Sequence, residues 1–295
     1  MTSGPNVQTA TEPEPHTGCS DAVAVAATAL RSPVSVVMAT CNGAAFIAEQ
    51  LASVISQLEA HDEVLIADDG STDATLAVIR AQTDSRVRVL PLACAEPPEA
   101  GVPKRLGVVK NFERALQSAR HDIIFLCDQD DVWLPGKVDA CLAALQKCVL
   151  VVTDCRVVDV QLRALAPSFF AIQNSGPGLA RNLWRNSFLG CCMAMRRSLL
   201  AVALPFPDQI AMHDMWLGLV AETQGGTRFL PQVLSLYRRH STSVSTAAAP
   251  SNLPPHKRLA VRWHLSSALA VRLIKIRFLG VRAFAPGTPD GKNRA

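Results

Sequence analysis

The sequence lacks the signatures of several large protein classes. It has no CxxC pair, and its nine cysteines are odd in number. Cys127, Cys148 and Cys155 lie inside apolar runs, so buried thiols of a reducing compartment are expected, not a disulfide framework or a zinc site. No stretch reaches the roughly eighteen consecutive apolar residues of a spanning helix. The apolar segment from Ala22 to Leu30 follows Glu12, Glu14 and Asp21, not a basic region, so a secretory leader is not expected and the chain reads as cytoplasmic. Charged residues are only 18% against 49% hydrophobic, which excludes a wholly disordered chain. No internal repeat is visible. From Thr223 to Pro289 there is no Asp or Glu, while Arg228, Arg238, Arg239, Lys257, Arg258, Arg262, Arg272, Lys275, Arg277 and Arg282 accumulate. The slight net basicity of the chain is concentrated there.

What is present reads as a large α/β domain. VSVVMAT after Pro33 is a β-branched run suited to a buried parallel strand. Phe46, Ile47, Leu51, Val54, Ile55 and Leu58 then recur at helical spacing. EVLIADD gives a second strand, and Thr72 or Asp73 is expected to cap a helix carrying Leu76, Val78 and Ile79. RVRVL is a third strand. A Pro-rich loop from Glu96 to Pro103 and a helix over Asn111–Ala119 precede the strand DIIFLC, and VLVVTDC supplies another. Asn182 to Leu200 holds the apolar patch FLGCCMAM, and a helix is expected after His213-Asp214. Strand and helix alternate, which predicts a mostly parallel sheet with right-handed crossovers.

Two acidic turns end strands of this sheet: Asp68-Asp69 in DDGSTD, and Asp128 to Asp131 in DQDD. Ligands of open α/β sheets bind outside the carboxyl ends of the strands, so both turns should face one crevice. Asp128 and Asp130 are a carboxylate pair of the kind that holds Mg²⁺ or Mn²⁺ beside substrate phosphates. Without a cation such close like charges raise one another's pKa. DDGST offers acceptors for a nucleobase edge or ribose.

The strings SVVMATCNGAAFIAEQLASVISQ, EVLIADDGSTDAT, KNFERAL, FLCDQDDVW, LGCCMAMRRSLL, HDMWLGLVA and YRRHSTSVS, in that order, resemble family 2 glycosyltransferases of the GT-A fold, and within them the bacterial rhamnosyltransferase-like branch. The resemblance covers about Pro33 to Ser245. It implies a Rossmann-like central sheet flanked by helices. It also implies that Thr40 and Asn42 line a nucleotide pocket, that Asp69 accepts from the base and that Asn111 faces the donor. Asp128 and Asp130 correspond to the DxD pair on a metal-bound diphosphate, with His240 brought towards the metal. Asp214 matches the catalytic base. Asp131 has no assigned role. Two departures stand out: Cys41 replaces the usual aromatic of the first turn, and the QxxRW signature of processive synthases is missing, so one sugar per encounter is expected.

By this resemblance the reaction is a metal-dependent, inverting transfer from a nucleotide-sugar donor, dTDP-rhamnose or a UDP-sugar, to a cell-surface glycan or lipid-linked acceptor. Trp133 and Trp184 are expected to pack, and Cys191 and Cys192 to be core. The sequence divides into a poorly ordered tail (1–31), the catalytic domain (32–246) and a basic helical extension (247–295). On a helical wheel Arg258, Arg262, Arg272, Lys275 and Arg282 share a broad arc, with Leu265 and Leu269 intruding. Such a segment suits the inner face of the cytoplasmic membrane, making the enzyme peripheral there. No nucleic-acid-binding motif is interleaved with it. Two rival readings carry less of the sequence. FLCDQDDVW also fits a haloacid-dehalogenase-type phosphatase with Asp128 as nucleophile and Asp130 as acid/base, but that motif normally sits on the first strand. The other rival is a non-catalytic membrane scaffold on a degenerate transferase fold.

Overall fold

The computed structural model describes Met1 and residues 31–92, 105–208, 210, 212–224, 226–240 and 254–279, with the backbone alone at 255, 258, 276 and 279. The Pro-rich loop and residues 2–30 of the expected tail lie outside the described residues. The opening run forms β1 (Val34–Thr40), followed by α1 (Ile47–Ile55), β2 (Glu63–Asp68), α2 (Thr75–Ala81), β3 (Val87–Val89), α3 (Val108–Ser118) and β4 (Ile123–Cys127). These four strands pair in parallel in the order β3-β2-β1-β4. Every residue of β2 and β4 is buried, as a strand covered on both faces requires.

Alternation within these runs builds two cores. Val36, Met38, Val64, Ile66 and Phe125 point to the face covered by Ile47, Leu51 and Val54 of α1. Val37, Leu65, Ile124 and Leu126 point to the opposite face, where Phe112 and Leu116 of α3 pack. The period of two thus places helices on both sides of one sheet.

The second half is mixed. It contains β5 (Val132–Trp133), α4 (Lys137–Leu145), β6 (Leu150–Val158), β7 (Ala164–Ala166), α5 (Phe169–Gln173), α6 (Leu179–Trp184), β8 (Met193–Arg196), α7 (Ser198–Ala203), α8 (His213–Thr223), β9 (Thr227–Arg238) and α9 (Pro255–Leu279). The sheet continues β4-β8-β6-β9-β5, with β7 on β6. β8 runs antiparallel to both β4 and β6, and β5 antiparallel to β9. The parallel expectation therefore describes the first four strands and the β6–β9 pair. The β8 strand is the MAMR end of the apolar patch, preceded by a 3₁₀ turn at Gly190–Cys192.

Two local expectations are corrected. Ala74 occupies the N-cap of α2, while Asp73 accepts from the Thr75 N–H at 2.9 Å. The single helix α9 turns Leu265 and Leu269 inward, and Arg262 and Arg272 with them: Arg272 donates to the carbonyls of Val202, Leu204 and Pro205, and Arg262 to that of Trp184. The Arg258–Arg282 arc is thus not one outward face: two of its members grip the domain, and Arg282 lies outside the described residues. Trp133 is buried, but Trp184 is exposed with the Arg262 guanidinium 4.0 Å over its ring.

Candidate active site

A cavity of ≈ 570 Å³ opens at the carboxyl ends of β1, β2 and β4. Thr40, Asn42, Asp69, Asn111, Asp128, Asp130, Asp214 and His240 all line it, so residues from six separate stretches meet as the strand-end rule requires.

The β1 turn is held by the DDGSTD turn and by Gln129. Thr40 Oγ1 donates to Asp68 Oδ2 at 2.9 Å. Asn42, in the left-handed region at φ 51°, accepts from the Thr72 N–H at 2.8 Å. Both oxygens of Asp69 are engaged by the N–H groups of Leu106 (2.7 Å) and Gly107 (2.9 Å), so its carboxylate anchors the entry to α3, and further donors must use its remaining lone pairs. Asn111 is buried and donates to the Ala67 carbonyl at 2.6 Å while accepting from Arg114.

Gln129, the middle residue of the DxD pattern, was not singled out by the sequence. Its amide accepts from the Cys41 N–H (2.9 Å) and donates to the Cys41 carbonyl (3.0 Å), fastening the β4 end to the β1 turn. A Cβ at Gly43 would lie 2.2 Å from Gln129 Oε1, so only glycine permits this clamp without displacing it.

The acidic residues after β4 separate into two groups. Asp130 Oδ2 lies 2.7 Å from His240 Nε2. Asp128 instead sits with Asp131 and Cys191, whose potential ligand atoms all lie within 4.8 Å of one another. Burial, then the charges of Asp131 and Asp130, push the Asp128 pKa well above the usual carboxylate range. Burial and Asp130 push Asp131 up to about 8. Asp131 has a structural partner that sequence could not reveal: its Oδ1 accepts from the Arg238 N–H at 2.9 Å, whereas Oδ2 is buried without a hydrogen-bond partner. Arg238, itself buried, also donates to the Asp130 carbonyl (2.8 Å) and to Glu49 (2.5 Å), and its guanidinium lies 4.8 Å over Phe46. Phe46, placed by its spacing on a helix, lines the cavity with His240 stacked against it at 4.9 Å.

Hard carboxylate oxygens and an imidazole facing one cavity, with like charges crowded and one buried oxygen unpartnered, fit a divalent cation such as Mg²⁺ or Mn²⁺.

Asp214 is in the first turn of α8. Burial pushes its pKa up to about 6, offset in part by the N–H groups of Met215 (2.6 Å) and Gly190 (3.2 Å). A buried carboxylate poised near neutrality is chemically suited to accept a proton from a hydroxyl. Neighbouring His213 stacks on Phe112 at 4.0 Å, and burial pushes its pKa down to about 3, which keeps it neutral. The turn carrying Gly190 is held by Lys137, fully buried, which donates to the Cys191 carbonyl at 2.6 Å and Ser235 Oγ at 2.7 Å.

The chain is similar to several known proteins. Over 107 residues the chain is 36% identical to the dTDP-rhamnosyl transferase RfbG of Shigella flexneri, a stretch that covers 34% of each chain, so only about a third of that relative is spanned. It is 24% identical over 215 residues to the Escherichia coli UDP-Glc:alpha-D-GlcNAc-diphosphoundecaprenol beta-1,3-glucosyltransferase WfgD, covering 72% of this chain and 79% of WfgD. The fold resembles that of S. aureus TarS 1-349 in complex with UDP-GlcNAc, with a TM-score of 0.57 at 17% identity over 82% of this chain and 66% of that one. It also resembles the mannosyltransferase PcManGT from Pyrobaculum calidifontis in complex with GDP-Man and Mn2+, with a TM-score of 0.54 at 17% identity over 88% and 78%. The architecture is GT-A. Residues 35–202, more than half of the sequence and including both acidic turns, match Glycosyl transferase family 2, and the chain belongs to that family.

Proposed function

We propose that the protein is a metal-dependent, inverting glycosyltransferase that moves one sugar from a nucleotide donor to a hydroxyl of a cell-surface glycan or lipid-linked acceptor. The observation that carries this reading is the placement of Asp214, a carboxylate poised near neutrality, in the same cavity as the DxD pair and the β1 turn.

The division of labour follows from the elements. Thr40, Asn42, Asp69 and Asn111 shape the nucleoside end of the cavity, and Asp128 lies towards the diphosphate. Asp128, Asp130 and His240 would hold Mg²⁺ or Mn²⁺, with Asp131 and Cys191 beside them. The cation, when bound, offsets charge on the departing diphosphate. Asp214 takes the proton of the attacking acceptor hydroxyl, its orientation fixed by the Gly190 and Met215 N–H groups. Attack opposite the leaving group inverts the anomeric centre, so a β-L-rhamnosyl donor would give an α-rhamnoside.

The RfbG similarity supports dTDP-rhamnose as donor, and the WfgD similarity a UDP-sugar and a lipid-diphosphate acceptor. The Mn²⁺ named with PcManGT supports that ion for the metal. We place the catalytic domain at 32–246, after a tail (1–31) and before a basic extension (247–295) that holds the enzyme at the inner face of the cytoplasmic membrane. Among the described residues no helix is long and apolar enough to cross a membrane. The phosphatase reading is disfavoured, because Asp128 follows β4 after three strand-helix units and the segment belongs to a transferase family.

The test is a turnover screen with dTDP-rhamnose, UDP-glucose, UDP-galactose and GDP-mannose in the presence of Mn²⁺ or Mg²⁺, scoring nucleoside diphosphate release. Metal-dependent turnover of one donor, abolished in Asp214→Asn, is expected. Preference for a donor other than dTDP-rhamnose would overturn that assignment alone. Absence of turnover on every donor and acceptor, with the cellular glycan unchanged in Asp214→Asn, would favour the scaffold.

A further inference from the structure

The C-terminal helix has two apolar faces, and only one of them is used by the fold. Leu265 and Leu269 are buried against the catalytic domain, and Arg262 and Arg272 grip its carbonyls. On the opposite side, steps of four, four, three, four and four residues align Leu259, Trp263, Ser267, Ala270, Ile274 and Phe278 in one stripe. Leu259 is 63% exposed, Trp263 76%, Ile274 56% and Phe278 87%. At about 1.5 Å per residue the stripe runs for roughly 28 Å. Exposed Lys257, Val271 and Lys275 form one margin and exposed Arg277 the other.

We infer that this outer face of α9 is a docking surface for an anionic lipid leaflet, on which the helix lies flat with its apolar stripe among the acyl chains and its cations at the headgroups. The inference rests on the membrane placement proposed above and names the surface responsible. Three observations favour lipid over a second copy of the chain. Both margins are cationic, and no carboxylate occurs between Thr223 and Pro289 to pair with them across a symmetric helix seam, so two copies would repel along their edges. Trp and Phe at the crest, with lysines at the side, is the side-chain distribution of an interfacial helix. Arg262 and Arg272, which could otherwise have made the helix uniformly basic, are committed to the domain and leave the outer face apolar.

The experiment is flotation of the full chain with vesicles of phosphatidylcholine alone and of phosphatidylcholine with phosphatidylglycerol. Binding to the anionic vesicles is expected, at least tenfold stronger than to the neutral ones and weakened by salt. Trp263→Ser with Phe278→Ser should abolish it, and Lys257→Glu with Lys275→Glu should remove the preference for phosphatidylglycerol. Both variants change exposed residues outside the cavity, so donor turnover in solution should be unaffected. No flotation, or flotation indifferent to both double substitutions, would overturn the inference. So would a dimer dissolved by Trp263→Ser with Phe278→Ser in a protein that does not bind vesicles. Flotation without turnover of any donor would leave this surface standing and remove the transferase reading.

Discussion

The two acidic turns at the mouth of the sheet have similar sequences and opposite electrostatics. In DDGSTD every carboxylate has donors. Asp68 accepts from Thr40, from the Ser71 N–H at 2.8 Å and from the Ser71 hydroxyl at 2.5 Å. Asp69 accepts from Leu106 and Gly107. Burial works against ionisation of Asp73, but the hydroxyl and N–H of Thr75 and the N–H of Ala44 prevail and hold it below the usual carboxylate range. In DQDD the half-buried carboxylate of Asp128 and the buried one of Asp131 lie in one another's field, and their pKa values rise. A turn whose charges are satisfied by the chain is a scaffold. One whose charges are left crowded suits a ligand of opposite sign.

The largest expected effect lies outside both turns. Asp214→Asn should lower kcat by about a thousandfold, the loss of a general base, with the thermal midpoint unchanged or raised because a buried charge is removed. Next, Asp130→Asn should reduce turnover by about a hundredfold and blunt its dependence on divalent cation, measured by titrating Mn²⁺ into a turnover assay. The contrast between the turns can then be broken directly. Asp68→Asn should destabilise the protein by about 1–3 kcal/mol by leaving native donors without a charged acceptor. Asp131→Asn keeps an oxygen for the Arg238 N–H and removes the crowded charge, so the metal-free protein at pH 8 should melt higher by about 2–4 °C. Equal signs for the two substitutions would erase the distinction.

pH supplies a finer probe. A base must be ionised to act, and burial places the Asp214 pKa at about 6. Activity should therefore rise with pH through about 6 and level off above it, and a profile flat from pH 5 to 8 would remove Asp214 from the rate-limiting step. The smallest effect expected is from Gly43→Ala, which forces the Gln129 amide off the Cys41 backbone and should weaken donor binding by about tenfold with little change in kcat.

The same contrast explains what could be read in the sequence. β1, β2 and β4 were legible because strands buried on both faces are unbroken apolar runs. β8 was hidden within FLGCCMAM, where an apolar run does not distinguish strand from turn or helix. β9 was missed because it contains Pro231: pairing with β6 jumps from Thr153–Leu230 to Asp154–Val233, so Pro231 and Gln232 fall in a bulge that spares the ladder. In the site, the acidic pairs and Asp214 were visible as motifs. Their supports were not, because the partners are remote in the chain: Gln129 clamps Cys41 88 positions away, Lys137 meets Ser235 98 positions away, and Arg238 reaches Glu49 across 189. Asp131 had no role in the sequence for the same reason, since its partner is the backbone of Arg238 at the end of the missed strand.

The most direct measurement is calorimetric titration of the full chain with dTDP and with UDP, with Mn²⁺ present and after its chelation, in the wild type and in Asp130→Asn. The account predicts that one nucleotide binds the wild type at least tenfold more tightly with Mn²⁺ and that Asp130→Asn loses this enhancement. Equal binding with and without the metal, or an enhancement that survives Asp130→Asn, would contradict the assignment of the DQDD turn as the metal-diphosphate end of a donor site.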